Sequence, residues 1–469
     1  MLSSNKRHAI WFGLAVAGLC SGHSSVHAQS NDLEISVSPT PIGAGARAAG
    51  MADAFVAIAD DATAASWNPA GLVQLEAPEL SIVGAWNSVA DHFSAASTHP
   101  EVDGMHDVEN LDLNYLSFVY PLPFVVLDRN VTVSLNYQQK YDFTRKFSTR
   151  KHQHNLTSAL GRISLFQRLD FEQSGGLSTV SPALAFELTH RISFGASLNL
   201  WRSTPFNDNS WTQEIRDTQN AALLGTARQG ILRTREAYED FEGENWTLGL
   251  LWDINDRWKL GMRYDTAFTG EVDYERRGRL YREGVRPPFV SLNKKEKRHV
   301  RFPDSLALGV AYRANDRLTL SMDVTRTDWH DFHVRDSEGV RRSLVDASDL
   351  DNRDTATDFD PTYTVRLGAE YVFVPRQPAE KLAALWTVRG GVFYDEEPAT
   401  GNDRDGDADK FYGLALGVGV QLHQRVNIDA AYQYRFGRGV NADFLRGIAG
   451  FEEDVDQHRF LLSTVIYFK

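Results

Sequence analysis

The chain has a single cysteine among 469 residues, and that residue, Cys20, falls within the N-terminal leader. Lys6 and Arg7 precede an apolar run over 9–19, and Val26-His27-Ala28 supplies a small-residue cleavage site. This pattern predicts a secretory signal peptide over 1–28, cut after Ala28. Leu19 is too large for the position before a lipidated cysteine, so Cys20 is not read as an anchor. Cleavage removes it, which excludes disulfides and thiolate metal sites from the mature chain. Long apolar runs are also missing. None approaches the ~20 residues that a spanning helix needs, and mean hydropathy is −0.36. A helical membrane protein is thereby excluded, but a barrel is not, because barrel strands alternate and average out as polar. Positive charge is in deficit, with 49 Lys and Arg against 62 Asp and Glu and a net charge of −13, which argues against nucleic acid as a partner.

Motifs for chemistry are equally scarce. There is no G-x-S-x-G and no H-E-x-x-H. His92, His106, His152, His154 and His190 are scattered without ligand spacing. Gly43-Ala44-Gly45 lacks the preceding strand of a dinucleotide turn. The acidic loop 403–409 has Ala408 where an EF-type loop counted from Asp403 wants Gly, so it reads as a solvated external loop. No enzyme activity, cofactor or metal is implied.

From Glu79 onward, alternation with period two dominates. In 425–436, Val426, Ile428, Ala430, Tyr432, Tyr434 and Phe436 share one face, and Asn427, Asp429, Gln433 and Arg435 share the other. Trp258, Leu260, Met262 and Tyr264 oppose Lys259, Gly261, Arg263 and Asp265 in the same way. Fourteen strands are expected: 79–87, 112–122, 130–142, 178–189, 191–202, 244–254, 257–274, 304–314, 317–329, 361–374, 384–395, 410–422, 425–437 and 457–468. Most are near or above the 9–11 residues that cross a bilayer at a tilt, and longer than the usual globular strand of about 5–6. The apolar faces of the clearest strands carry no Lys, Arg, Asp or Glu. A cation there would cost about 2–4 kcal/mol at the bilayer midplane. Short and long connections alternate, as in an up-and-down barrel with tight turns at one mouth. The expected fold is all-β: a 14-stranded antiparallel transmembrane β-barrel with a small, mostly helical N-terminal hatch plugging the lumen. Its expected divisions are signal peptide 1–28, hatch 29–78 and barrel 79–469.

The hatch assignment rests on 41–72. Met51, Ala54, Phe55 and Ile58 recur at helical spacing, and Asn68-Pro69 breaks the pattern. Gly45-Ala46-Arg47-Ala48-Ala49-Gly50-Met51, then Ala54 through Ala64, then Trp67-Asn68-Pro69-Ala70-Gly71-Leu72, resembles the N-terminal hatch of the FadL-like outer-membrane long-chain fatty-acid transporters. Asp323-Val324-Thr325-Arg326-Thr327-Asp328-Trp329 resembles that family's strand ending in T-D-W. Tyr394-Asp395-Glu396-Glu397-Pro398 with Asp405-Gly406-Asp407-Ala408-Asp409-Lys410 resembles its Y-D-x-x-P…D-x-D-[RK] loop, with Gly406 in place of a common proline. The ending, His458 to Phe468, resembles the assembly signal of outer-membrane barrels.

The resemblance implies passive uptake of long-chain fatty acids or similar hydrophobic compounds across the outer membrane of a Gram-negative bacterium. Asn68, Pro69, Ala70 and Gly71 would form the hatch break and hinge. The connections 203–243 and 275–303 resemble the pair of loops that forms the external landing groove. Trp211, Leu223 and Leu224 lie in the first, which reads as amphipathic helical stretches, and Phe289 in the second. Inward-facing Arg263, Arg366 and Arg389 are candidates to hold a ligand carboxylate. Ion pairing with lumenal acids such as Asp265, Glu370 and Asp429 is the competing expectation. The family's kinked third strand, associated with lateral exit, commonly has Gly after Asn-Tyr, where this chain has Gln138. Implied partners are a hydrophobic small molecule, outer-membrane lipid and lipopolysaccharide, and the barrel-assembly machinery, with the protein itself a monomer. A non-specific porin and an outer-membrane lipid-modifying enzyme (a lipase, or equally a protease) remain as other classes.

Overall fold

The alternating faces pair edge to edge into a closed ring, whose ladder groups are thereby satisfied without water. The computed structural model describes residues 42–95, 100–124, 129–158, 161–223, 226–282, 290–329, 332–342, 360–374, 383–398, 408–441 and 450–468. The expected leader and residues 403–407 of the acidic loop lie outside them.

Twenty strand segments form one antiparallel sheet. In chain order they begin with β1 (Glu79–Ser94), β2 (Gly104–Pro121), β3 (Val131–Asp142), β4 (Arg145–Ser158), β5 (Gly161–Thr189), β6 (Ile192–Trp201) and β7 (Ser210–Leu223). Next come β8 (Thr226–Asp253), β9 (Trp258–Asp265), β10 (Phe268–Arg282), β11 (Val290–Phe302), β12 (Ser305–Arg313) and β13 (Leu318–Thr327). The last are β14 (His333–Arg335), β15 (Arg341–Arg342), β16 (Thr362–Phe373), β17 (Ala384–Glu397), β18 (Asp409–Leu422), β19 (Val426–Val440) and β20 (Glu452–Tyr467). A closed ring of fourteen runs β1-β2-β3-β5-β6-β8-β9-β12-β13-β16-β17-β18-β19-β20, and β20 returns to β1 with Glu79 opposite Tyr467. The turns 190–191, 254–257, 314–317 and 423–425 are tight, and positive φ at His423 and Gln424 closes the last.

Large apolar side chains stand exposed on the outside, among them Leu184, Leu250, Leu308, Met322, Leu367, Val392, Leu416 and Leu462. Aromatics border this band: Trp252, Trp258 and Trp386 toward the tight turns, Trp246, Tyr363 and Tyr412 toward the opposite rim. A lipid-facing belt about 25 Å tall between two aromatic girdles accounts for that pattern.

Above part of the far rim the described residues continue the wall as strands. β4, β7, β10, β11, β14, β15 and the outer halves of β5 and β8 continue as a projecting sheet. This corrects the expectation of helical stretches in 203–243: β7 and β8 form a hairpin from Trp211↔Tyr238 to Leu223↔Thr226. Trp211 and Ile215 are four apart, a spacing that fits a helix face and a strand face alike. Gln213 and Asp217, buried beside them, select the strand.

Candidate transport pathway: hatch, lumenal lining and aromatic mouth

Residues 42–78 fold inside the ring. α1 (Ala46–Gly50), α2 (Ala64–Trp67) and a 3₁₀ turn (Pro69–Gln74) are joined by tight turns. The helical spacing of 51–60 does not yield a helix. Ala52 and Asp53 take positive φ, and the Phe55 and Val56 amides leave the chain to donate to Asp323 Oδ2 at 2.6 and 2.8 Å. A carboxylate on β13 thus receives two donors that a continuous helix would have used internally.

Small inward residues make room for this backbone. A Cβ on Gly249 would lie 2.2 Å from Asn68 Oδ1, and one on Gly417 would lie 2.8 Å from Gly50 Cα. Gly195, Gly261, Gly309, Gly368 and Gly391 face the hatch in the same manner from five further strands. Asn68 is fully buried at the centre of the contact. Its Nδ2 donates to Val56 O at 2.9 Å and to Leu250 O at 3.0 Å, while Oδ1 caps Ala70 N at 3.2 Å. Pro69 then starts the 3₁₀ turn, where its missing N–H costs nothing. Ala70 O accepts from Ser193 Oγ at 3.1 Å, and Gly71 lies so close to Ala59 O that no side chain fits.

The three candidate arginines all sit in the lumen and all find carboxylates. Arg389 donates to Glu370 and Asp429, each at 2.6 Å, and Glu370 also receives a bidentate contact from Arg47 of α1 at 3.0 Å per bond. This buried chain ties the hatch to β16, β17 and β19. Arg263 pairs with Asp265 at 3.0 Å and reaches Ser66 O at 3.4 Å. Arg366 and Arg435 share Asp395, and Arg435 also contacts Glu397. Burial pushes the Asp61 carboxyl of the hatch upward, against the opposing pull of Arg47 and Thr63.

Above the hatch, aromatic rings pack against one another. Trp201 stacks on Phe268 at 5.0 Å, Phe268 on Phe302 at 5.0 Å, and Tyr141 on Trp201 at 5.8 Å. Trp211, Tyr238, Phe241, Trp329 and Phe332 belong to the same buried cluster. Trp211 is therefore part of an apolar mouth, stacked 4.5 Å from Tyr238. Leu223 is twelve positions farther along β7, about 40 Å away at ~3.3 Å per residue, so the fold separates these two residues. Leu224 and Phe289 lie outside the described residues.

Sequence reasoning missed Lys140. It sits half-buried at a β-bulge in β3, next to Tyr141, and its carbonyl accepts from Ile42 N at 2.7 Å. It lies within electrostatic range of Asp265 and Arg263, and among the described residues it makes no direct ion pair. Its signal in the sequence is a lysine that directly follows the uncharged stretch 132–139.

A closed, lipid-belted barrel with a folded plug defines the class of an outer-membrane channel. Residues 41–456 match the outer membrane protein transport protein (OMPP1/FadL/TodX) family, and the chain belongs to that family. Among curated proteins it is similar to a candidate outer membrane protein of Neisseria meningitidis serogroup B, 23% identical over 214 residues. That match spans 42% of this chain and 44% of the relative, so less than half of the relative's length is represented. Among solved structures it resembles a Pseudomonas aeruginosa FadL homologue (TM-score 0.58, 16% identity, 92% of this chain and 100% of that one). It also resembles the P. putida toluene transporter TodX (TM-score 0.52, 14% identity, 93% and 99%). The Ralstonia pickettii toluene transporter TbuX is a third (TM-score 0.50, 16% identity, 93% and 100%). At these identities the likeness is one of fold.

Proposed function

We propose that this protein is a passive outer-membrane channel for small hydrophobic molecules, gated by residues 29–78, with residues 79–469 as the barrel. The observation that carries the reading is the buried aromatic cluster seated directly above a plugged lumen. Rings stacked 5–6 Å apart make these surroundings apolar, and a ligand that parted them would meet face-on contacts suited to an aromatic ring or alkyl tail. Toluene transporters and a FadL homologue share the fold, which keeps both monoaromatic hydrocarbons and long-chain fatty acids in view.

Between these two, Lys140 favours a ligand with an anionic head. It is a cation at the edge of the apolar cluster, whereas Arg263, Arg366 and Arg389 are already engaged with acids. Its aliphatic stem lies with the tail and its ammonium meets a carboxylate. Exit is sideways: β2–β3 pairing stops at Tyr115↔Gln138, and the bulge follows at once in β3. Insertion by the assembly machinery into lipid and lipopolysaccharide as a monomer belongs to the same reading. A porin would need an open lumen, whereas hatch residues such as Ala54, Phe55 and Asn68 are wholly buried.

The deciding experiment is mass spectrometry of lipids extracted from the purified protein, paired with uptake into reconstituted vesicles. Co-purified fatty acid whose binding weakens in Lys140→Met supports the reading. Binding of neutral aromatics alone overturns the anionic head, and large ion conductance without ligand uptake overturns the channel assignment.

A further inference from the structure

On the projecting sheet, charge is arranged against its own stability. Arg216 of β7 stands directly opposite Arg233 of β8, and Arg233 opposite Arg279 of β10. One register step away, Arg235 faces Arg277. All five side chains are exposed on one face. Side chains directly opposite in a sheet have Cβ atoms about 4.5–5.5 Å apart, where like charges destabilise the pairing. Neighbouring acids relieve part of this, and Asp170 of β5 stands directly opposite Arg216 on its other side. Glu214 pairs with Arg235 at 3.2 Å, Asp170 with Arg168 at 2.9 Å and Glu275 with Arg277 at 2.7 Å. The hydrogen bonds from Arg277 hold the Glu275 carboxyl below its ordinary range. Among the described residues, Arg216, Arg233 and Arg279 contact no carboxylate; Arg233 rests over the Tyr281 ring at 5.5 Å. They line a cavity of about 780 Å³.

Their face is the outer one. Inward residues of β10 (Phe268, Val272, Tyr274) belong to the lumenal cluster, so Arg277 and Arg279 point the other way, the direction that lower down meets lipid. A second cavity, about 430 Å³, opens on the same side nearer the membrane, lined by Thr269, His299, Arg301, His333 and Arg335. Counting outward from Tyr264, Thr269 is about 17 Å and Arg279 about 50 Å along the strand at ~3.3 Å per residue, less in height because barrel strands tilt. Cations therefore run from headgroup level into the zone where a saccharide chain would rise.

We infer that this outer face is a binding site for lipopolysaccharide: the lower cavity takes phosphates of the lipid headgroup, and the Arg216–Arg233–Arg279 row takes phosphates or acidic sugars of the attached saccharide. Forked guanidinium donors suit phosphate oxygens, and an anion among them converts the repulsion into attraction. In a chain of net charge −13, a row of unneutralised arginines marks the place where an anion docks.

The test uses the full-length mature protein, freed of lipopolysaccharide in neutral detergent, and titrates it with purified rough-type lipopolysaccharide, a dephosphorylated preparation, and phosphatidylglycerol micelles. Wild type should bind the intact glycolipid at least tenfold more tightly than either control, with affinity falling as salt rises. The triple variant Arg216→Glu, Arg233→Glu, Arg279→Glu should lose at least tenfold, and Arg233→Gln alone a smaller part of it. Heat-modifiable gel mobility and vesicle uptake of hydrophobic ligand should stay as in wild type, which keeps this test separate from that of the channel. Equal binding by wild type and both variants, or equal binding of the dephosphorylated form or of phosphatidylglycerol, overturns the proposal. If the triple variant does not fold, Arg233→Gln decides.

Discussion

Asn68 Nδ2 donates to the carbonyl of Leu250 across 3.0 Å, linking the centre of the hatch to the wall of β8. The same nitrogen also bonds to Val56 O, and the opposite side-chain oxygen caps Ala70. One side chain thus holds two turns of the hatch and one barrel strand in register.

Asn68→Ala removes these contacts, at about 1–3 kcal/mol for each buried group that it leaves unsatisfied. Membrane insertion should proceed, because the barrel ladder is untouched, while uptake of hydrophobic ligand should fall several-fold. Radiolabelled uptake in cells with matched outer-membrane levels measures this. Uptake equal to wild type removes the hatch from the mechanism.

Gly249→Ala attacks the same contact from the wall. Its new methyl would lie 2.2 Å from Asn68 Oδ1 and 2.8 Å from Pro69 Cδ, so the hatch must shift. Single-channel recordings should show a rise in ion conductance. A wild-type trace would mean that the plug moves aside without opening a water path.

Glu370 is held by Arg47 and Arg389 together, and its loss takes one carboxylate from each, leaving Arg389 with Asp429 and Arg47 with Asp60 and Asp61. Removing one partner of a buried ion pair costs about 3–5 kcal/mol. Glu370→Ala should therefore lower the thermal midpoint in detergent by several degrees and increase protease cleavage within 42–78. An unchanged midpoint would show that solvent reaches the cluster.

Lys140→Met keeps the aliphatic stem and deletes the charge. Loss of a hydrogen bond to a charged head costs about 1.5–3 kcal/mol, or roughly 10- to 150-fold in affinity. Fluorescent fatty-acid binding should weaken accordingly, and toluene uptake should be unaffected. An equal effect on both ligands would assign Lys140 a structural role at the bulge.

Both faces of the barrel were legible in the sequence because alternation is local: Val426 and Asn427 differ in direction whatever else the chain does. The hatch was legible as an ordered set of small residues ending in Asn68-Pro69. Other features depended on partners far along the chain. Gly195 and Gly261 sat visibly on polar faces, but their reason is the hatch backbone, Pro69 and Val56, more than a hundred positions away. Arg389 reads equally well as a ligand clamp or a structural cation until Glu370 and Asp429 arrive on neighbouring strands. Trp211 and Ile215 fit either period, and only pairing with β8 made them strand residues rather than helix. Hydrophobic pattern determined which surfaces exist; closure of the ring determined which side chains meet, because that depends on register between strands and not on spacing within one.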